Sequence, residues 1–199
     1  IPAENYPFCT IEPNVGIVNV PDPRLQKLAD IFKPEKITPS NMEFVDIAGL
    51  VKGASQGEGL GNKFLSNIRN VDAIIHVVRC YENENVTHVE GSINPERDIE
   101  IIETELILKD IETVTKRIEK IKREVKAGKK IKEDKILQTI LAHLNEGKNL
   151  NKLNVEYDEI ENLNLLTDKP ILFVVNVNES DIIESQKSEL LNQLEAYLN

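Results

Sequence analysis

The chain has 199 residues, of which 40% are hydrophobic and 29% are charged, and its formal net charge is -10 at pH 7. This length fits one ordinary domain with an insertion, and the acidic balance argues against a general nucleic-acid-binding protein, so no DNA is expected as a partner. No apolar run reaches about 18 residues, and we therefore expect no membrane-spanning helix and no membrane partner. The two cysteines, Cys9 and Cys80, indicate reduced thiols in a cytoplasmic protein.

The charge is unevenly distributed along the chain. Residues 109–135 contain 11 Lys or Arg and 6 Asp or Glu, which leaves 13 basic and 28 acidic residues elsewhere. A basic segment in an otherwise acidic chain indicates that this segment has a function of its own.

Short apolar stretches predict β-strands that alternate with helices. Pro21 and Pro23 end the first strand, and the last two strands are almost continuously apolar, which is typical of buried parallel strands. A stretch with four glycines is predicted to be a mobile loop. The predicted strands are 16–20, 42–47, 73–78 and 171–175, the helices are 23–32 and 64–71, and the loop is 51–61. This alternation predicts an α/β fold with a doubly wound sheet.

A helical hairpin is predicted between the last two strands. Asn94 is a plausible N-cap, with Pro95 in the first turn, and the helical pattern runs to about Lys126. Residues 127–130 can turn the chain, and a second apolar stripe at 137–144 returns it to Gly147. The apolar seam of the first helix has the 3-4 spacing of a coiled coil, at Ile111, Val114, Ile118, Ile121 and Val125. The alternative is a pair of ordinary packing helices.

The predicted domain organisation follows from this insertion. Residues 1–97 and 166–199 would form two parts of one α/β domain, and residues 98–165 would form a projecting helical arm.

The strand at 42–47 runs into the sequence D-x-x-G, formed by Asp46 and Gly49. In P-loop NTPases of the Ras-like fold, this motif places an aspartate near Mg²⁺ and a glycine amide near the γ-phosphate. Leu50 occupies the position where a glutamine often orients the attacking water, and its side chain can neither donate nor accept a hydrogen bond. The motif predicts a nucleotide switch whose catalytic group lies elsewhere.

The strand at 171–175 is followed by Asn176, Val177, Asn178 and Glu179. GTPases carry N-K-x-D at this place, where the aspartate accepts hydrogen bonds from N1–H and the 2-amino group of guanine. Glu179 is one methylene longer and Val177 replaces the lysine, so the pairing that selects guanine is lost; such a match is worth about 10⁴ to 10⁵ in discrimination. The alternative interpretation is a polar cluster where a strand meets a loop.

Thr10 lies upstream of D-x-x-G, where a switch threonine that binds Mg²⁺ belongs, although any surface threonine has the same appearance in a sequence. The histidines have different settings: His76 lies in an apolar strand and is predicted to be structural, and His143 on the returning helix is predicted to be solvated.

Several motifs together resemble the Obg-like ATPases of the YchF subfamily. The resemblance covers nearly the whole chain, and the block at 43–62 is highly specific, whereas the arm at 98–165 resembles the family in architecture more than in motif. The matching stretches are FCTIEPN at 8–14, PDPRL at 21–25, MEFVDIAGLVKGAS at 42–55, GEGLGN at 57–62, HVVRC at 76–80 and NVNE at 176–179.

The resemblance implies an ATPase related to the Obg GTPases, with Mg²⁺, a coiled-coil arm, a C-terminal TGS domain and association with the ribosome or its RNA. It implies that ATP is preferred and GTP is bound more weakly. In this family, the histidine of the loop after the third strand is thought to replace the missing glutamine, and here that residue is His88. A histidine with an ordinary pKa near 6.5 can act as a base or as a donor.

The chain departs from the family because no phosphate-binding G-x-x-x-x-G-K-[ST] motif occurs in it. We expect that loop to precede Ile1 and the TGS domain to follow Asn199, and residues 1–199 alone are then expected to be inactive. Two alternatives stay open at this point: a GTPase of the same fold with relaxed base choice, and a non-enzymatic ribosome-binding module.

Overall fold

The computed structural model describes residues 14–47, 53, 55, 60–83, 88, 90–154, 160, 163–183 and 188–198. Among the helices of this part of the chain, none is both long and apolar enough to cross a membrane. The elements in chain order are β1 (Asn14–Asn19), α1 (Pro23–Phe32), β2 (Asn41–Asp46), α2 (Leu60–Arg69), β3 (Ile74–Arg79), α3 (Pro95–Lys126), α4 (Ile131–Asn145), a 3₁₀ turn (Leu150–Lys152), β4 (Ile171–Asn176), α5 (Glu179–Ile183) and α6 (Glu189–Leu198).

The chain divides into two compact units, and the smaller one is Thr10–Ala48. In it, β1 and β2 pair antiparallel, with Asn14 opposite Asp46. Helix α1 begins after Asp22, whose side chain accepts a hydrogen bond from the Arg24 N–H, and it ends at Lys33 in the left-handed conformation. Helix α1 has the predicted limits.

The larger unit, which contains Gly49–Asn199, holds the parallel pair of β3 and β4. The parallel direction was predicted, but the prediction that both strands are buried on both faces was wrong. Val78 is buried on the face that packs with Ile99 of α3 and Leu194 of α6, whereas Val77 is 62% exposed on the opposite face. The difference arises because α3 and α6 cover only one face of this pair.

His76 lies on the covered face of β3, opposite Phe173 of β4. The two rings are 5.5 Å apart, and burial lowers the pKa of the imidazole below its usual value. His76 is therefore the structural histidine that the sequence indicates.

Helices α3 and α4 form an antiparallel hairpin. Asn94 caps α3 by accepting a hydrogen bond from the Arg97 N–H, and Pro95 occupies the first turn, as predicted. The hairpin turns through Gly128, whose φ of 78° suits a residue without a Cβ. Its core consists of Ile107, Val114, Ile121, Leu137, Ile140, Leu144, Leu150 and Leu165.

The deepest line along α3 differs from the predicted seam. Val114 and Ile121 are fully buried, but Ile111, Ile118 and Val125 are only partly buried against the core. The buried line also contains two charged residues, Asp110 and Arg117, which are 0% and 7% exposed. Polar partners compensate both of these charges, which is why the helix can bury them.

Each charged residue joins α3 to another segment: Asp110 contacts residues shortly before β4, and Arg117 contacts α4. Asp110 accepts hydrogen bonds from the N–H groups of Leu166 and Thr167 at 2.9 and 2.8 Å, and from the Thr167 hydroxyl at 2.8 Å. Burial raises the pKa of Asp110, and these hydrogen bonds lower it in part. The Arg117 guanidinium meets the Glu133 carboxylate of α4 at 2.6 Å.

His143 on α4 is not simply solvated, contrary to the expectation from the sequence. Its side chain is half-buried, and its Nε2 donates to the backbone carbonyl of Asn149 at 3.1 Å. The chain bends back after Gly147, which brings this carbonyl over the helix end.

We predict that Asp110→Ala lowers the free energy of unfolding by about 2–4 kcal/mol, because it leaves two buried amides without an acceptor. Urea unfolding of the purified protein measures the change. Glu119→Ala, an exposed residue of the same helix, is the control and should change the stability by less than about 0.5 kcal/mol. Equal effects of the two substitutions would contradict the prediction.

Candidate functional site

The carboxyl ends of β3 and β4 lie at one edge of the parallel pair. Arg79 and Asn176 are register partners, and the Cys80 N–H donates to the Asn176 carbonyl at 2.7 Å. The two connections that leave these strands therefore start side by side. In open α/β sheets, the carboxyl ends of the strands form the edge where ligands bind.

The last residue of β4 and the residues that follow it present polar groups at this edge. The side chains of Asn176, Asn178 and Glu179 are exposed, whereas Val177 is half-buried and packs against the cluster that contains Val78 and Cys80. A turn orders the segment, because the Asp181 N–H donates to the Asn178 carbonyl at 3.1 Å. Glu179 is then the first residue of α5, and its carboxylate is accessible to a ligand.

Arg79 supports the connection that follows β3. Its Nε donates to the Tyr81 carbonyl at 3.1 Å, and its guanidinium lies 4.6 Å from the centre of the Tyr81 ring. This combination of hydrogen bond and cation–π contact fixes the start of the loop that leads to His88.

His88 is held at both ring nitrogens. The Glu90 N–H donates to Nδ1 at 3.1 Å, which requires the proton of a neutral ring to be on Nε2. That nitrogen lies 2.9 Å from Oδ2 of Asp98, and the His88 side chain is only 17% exposed. His88 is thus an ordered residue in this conformation, and its Nδ1 can take a proton from water only after the hydrogen bond from the Glu90 amide opens.

No sequence pattern indicates Asp98 as a site residue. It is only the first residue of the predicted arm. Its other oxygen, Oδ1, accepts hydrogen bonds from Arg97 at 3.0 and 3.2 Å. The available signal was a carboxylate in the first turn of α3, ten residues after His88, but a first-turn carboxylate is common because it also suits the helix dipole.

Cys80 lies beside both connections, because it follows β3 directly and its N–H donates to the carbonyl of Asn176 at the end of β4. The pKa of its thiol is raised to about 11, mainly by burial and in addition by the carboxylates of Asp181 and Asp98. Asp181 belongs to the connection after β4, and Asp98 holds His88. The predicted base-contacting segment and the predicted catalytic histidine therefore lie at the same edge of the larger unit.

The remaining predicted site residues are Asp46, Thr10, Gly49 and Leu50. Asp46 is the last residue of β2 in the smaller unit, and its side chain is exposed. Thr10, Gly49 and Leu50 lie outside the described residues. Within the described ranges no cluster of three or more His, Cys, Asp or Glu side chains forms a metal site. The Asp46 carboxylate is an oxygen donor of the kind that Mg²⁺ accepts, directly or through water.

Comparison with known proteins finds a matching family and several relatives. A family profile described as "50S ribosome-binding GTPase" matches residues 1–107. The chain is 52% identical to the ribosome-binding ATPase YchF of Mycoplasma genitalium over 199 residues, which cover 98% of this chain and 54% of that protein. For the ribosome-binding ATPase YchF of Escherichia coli O157:H7, the identity is 51% over 184 residues, or 90% of this chain and 51% of the other.

A solved structure, described as the Schizosaccharomyces pombe YchF GTPase, matches with a TM-score of 0.75 and 38% identity. The match covers 98% of this chain and 54% of that one. The chain therefore spans about half the length of the relatives that it matches.

Proposed function

Because the chain belongs to the YchF subfamily of the Obg-related P-loop GTPases, we propose that the protein binds and hydrolyses ATP as a conformational switch and associates with ribosomes. The relatives named ribosome-binding ATPases support both parts of this proposal. The cytoplasm is the compartment in which such a protein would act.

The observation that carries the preference for ATP is the segment Asn176–Glu179. It follows a parallel strand at the ligand-binding edge, and its carboxylate is exposed at the start of α5. We expect Asn176, Asn178 and Glu179 to contact the base, with Val177 supporting them from the hydrophobic cluster. Adenine lacks both guanine hydrogen-bond donors, so the longer Glu179 removes a selection for guanine without a cost to adenine.

The proposed switch parts are Thr10 and Asp46 for Mg²⁺ and the Gly49 amide for the γ-phosphate. Mg²⁺ would neutralise charge on the phosphates when it is bound. Leu50 contributes no polar group to the attacking water, and an apolar side chain there leaves the positioning of water to another residue.

We assign that task to His88. Its Nδ1 would have to leave the Glu90 amide, since Nδ1 is the nitrogen with the lone pair and Nε2 carries the proton that faces Asp98. Release of Nδ1 provides a free base, while Asp98 still holds Nε2–H and favours the protonated ring that would form.

A second candidate is a GTPase of the same fold. The name of the Schizosaccharomyces pombe relative and the description of the family profile both favour it. Nucleotide affinity separates the two candidates.

We predict that the full-length protein binds ATP several-fold more tightly than GTP, and that Val177→Lys combined with Glu179→Asp moves the preference toward GTP. Titration calorimetry with both nucleotides measures the ratio. Glu189→Asp, at the start of α6, is a matched control for the shortened carboxylate. A preference for GTP in the parent protein would contradict the assignment.

We predict that His88→Ala slows single-turnover ATP hydrolysis by about 10²-fold, the usual contribution of a general base, and leaves ATP affinity nearly unchanged. His143→Ala is the matched control, because His143 is also a half-buried histidine with a hydrogen bond at Nε2. A parental rate in His88→Ala would remove His88 from the mechanism.

The basic end of the hairpin supports the proposed association with ribosomes. Lys122, Arg123, Lys126 and Lys129 are all exposed there, on a protein that is otherwise acidic. RNA phosphates would be repelled by the acidic body and attracted by this end, with release of counterions. Lys130 differs from the others, since its Nζ lies 3.3 Å from the Glu133 carboxylate and so belongs partly to the hairpin itself.

We predict that changing Lys122, Arg123, Lys126 and Lys129 to Glu weakens binding to ribosomes and reduces its salt dependence, without a change in basal ATP turnover. Co-sedimentation across a salt series measures both effects. The control changes four exposed lysines elsewhere to Glu and alters the net charge equally: Lys27, Lys36, Lys148 and Lys152. Equal binding and equal salt slopes for the two variants would contradict this prediction and would mean that the basic end is an ordinary solvated surface.

A further inference from the structure

A buried carboxylate of α3 holds two residues, Gly53 and Ser55, of the segment that follows the D-x-x-G motif. The Gly53 N–H donates to Oε1 of Glu105 at 2.6 Å, and the Ser55 N–H donates to Oε2 at 2.7 Å. Glu105 is only 4% exposed, and Gly53 lies four residues after Gly49 in the chain. Neither contact belongs to the proposed base or Mg²⁺ site.

We propose that Glu105 is a positioning residue that couples this segment to α3. The nucleotide state would then change how well ordered α3 is. Binding at the hairpin would change the conformation of the segment in return. The inference rests on the proposed nucleotide-dependent switch. It assigns Glu105 no contact with nucleotide. Reciprocity follows because a coupling free energy between two sites acts equally in both directions.

The chemistry of the contact between Glu105 and the two amides favours one particular arrangement of the segment. A buried carboxylate must be compensated, and backbone amides provide short charge-assisted hydrogen bonds without bringing a second charge. Each oxygen takes one amide, and this two-point contact fixes both the position and the orientation of the segment. If the segment moved away, Glu105 would need new donors or water, so movement of the segment changes the environment of α3.

Two features of the segment bear on how firmly this arrangement is held. Gly53 has a φ of 87°, a conformation that glycine adopts without strain. The Ser55 Oγ is buried and makes no hydrogen bond to the residues that the structure describes. A buried hydroxyl without a partner disfavours the docked arrangement relative to one in which it reaches water.

The position of Glu105 along α3 lets the contact act on both parts of the helix. Ile99 packs in the cluster with β3 and α6, and Ile107 packs in the core of the hairpin. Glu105 lies between them on one uninterrupted helix. A change in the hydrogen bonds of Glu105 therefore acts on the part of α3 that connects the ligand-binding edge with the hairpin.

Hydrogen exchange on the full-length protein tests this coupling. Glu105→Gln keeps the size of the side chain but turns an amide donor toward one of the two N–H groups, so one bond is lost. Glu100→Gln is the matched control, because Glu100 is an exposed glutamate earlier on the same helix and the substitution removes the same charge. Exchange is followed in peptides covering 50–58 and 99–110, without nucleotide, with ADP and with a non-hydrolysable ATP analogue.

Without nucleotide, we expect Glu105→Gln to speed exchange at the Gly53 and Ser55 amides by about tenfold, as local opening becomes easier. Ser55→Ala should slow it, because it removes the unpartnered hydroxyl. In the parent and in Glu100→Gln, exchange in 99–110 should differ between the ADP and ATP-analogue states, and in Glu105→Gln this difference should vanish while both nucleotides still bind.

The outcomes separate a failure of the proposed function from a failure of the coupling. A parent protein that binds no nucleotide would overturn the proposed function together with the coupling. A parent that binds nucleotide would leave that function standing, and the coupling alone would be overturned if Glu105→Gln kept the nucleotide-dependent difference, or if the parent showed none. A Glu105→Gln protein that is less stable yet keeps the difference would identify Glu105 as merely structural.

Discussion

The larger unit depends on the uninterrupted hydrogen bonding of α3. This helix has 32 residues, about 48 Å at 1.5 Å per residue, and it contributes to two separate hydrophobic clusters. Ile99 completes the cluster beneath β3, and Val114 and Ile121 form the centre of the hairpin. A helix that belongs to both cores transmits orientation between them, because bending it would break backbone hydrogen bonds or expose apolar area.

Buried charges decide how the other elements dock on this helix. Apolar side chains tolerate small sliding, whereas Asp110 and Arg117 each require particular partners at hydrogen-bond distance. Losing one partner leaves a buried charge uncompensated, which typically costs about 3–5 kcal/mol. Apolar packing thus stabilises the hairpin, and the specific partners of these two buried charges select one register from those that the seam allows. Glu105 follows the same rule, but its partners lie in a segment that the proposed switch would move.

Sequence patterns predicted most of the elements because their signals are local. The strands, α1, the cap at Asn94 and the turn at 127–130 follow from periodicity, proline and glycine. The seam at Ile111 and Ile118 was only partly correct, since the pattern treats charged residues as solvated and could not foresee partners from residues 133 and 166–167. The motifs predicted Asn176–Glu179 as a base-contacting segment, and the family resemblance added His88, but neither indicated the contacts of Asp98 and Glu105. Those contacts join residues that are ten and about fifty positions apart in the chain, which no local pattern encodes.

The geometry of α3 also limits how such a hairpin can change in length during evolution. One inserted residue rotates everything beyond it by about 100° around the axis, which would turn Arg117 away from Glu133. Seven residues restore the phase to within about 20°, provided that α4 gains the same number. Viable length variants should therefore differ by paired insertions of two turns, placed between Glu105 and Arg117 on α3 and opposite them on α4. The reach of the basic end would then change in steps of about 10 Å, while its orientation toward the ligand-binding edge stays nearly constant.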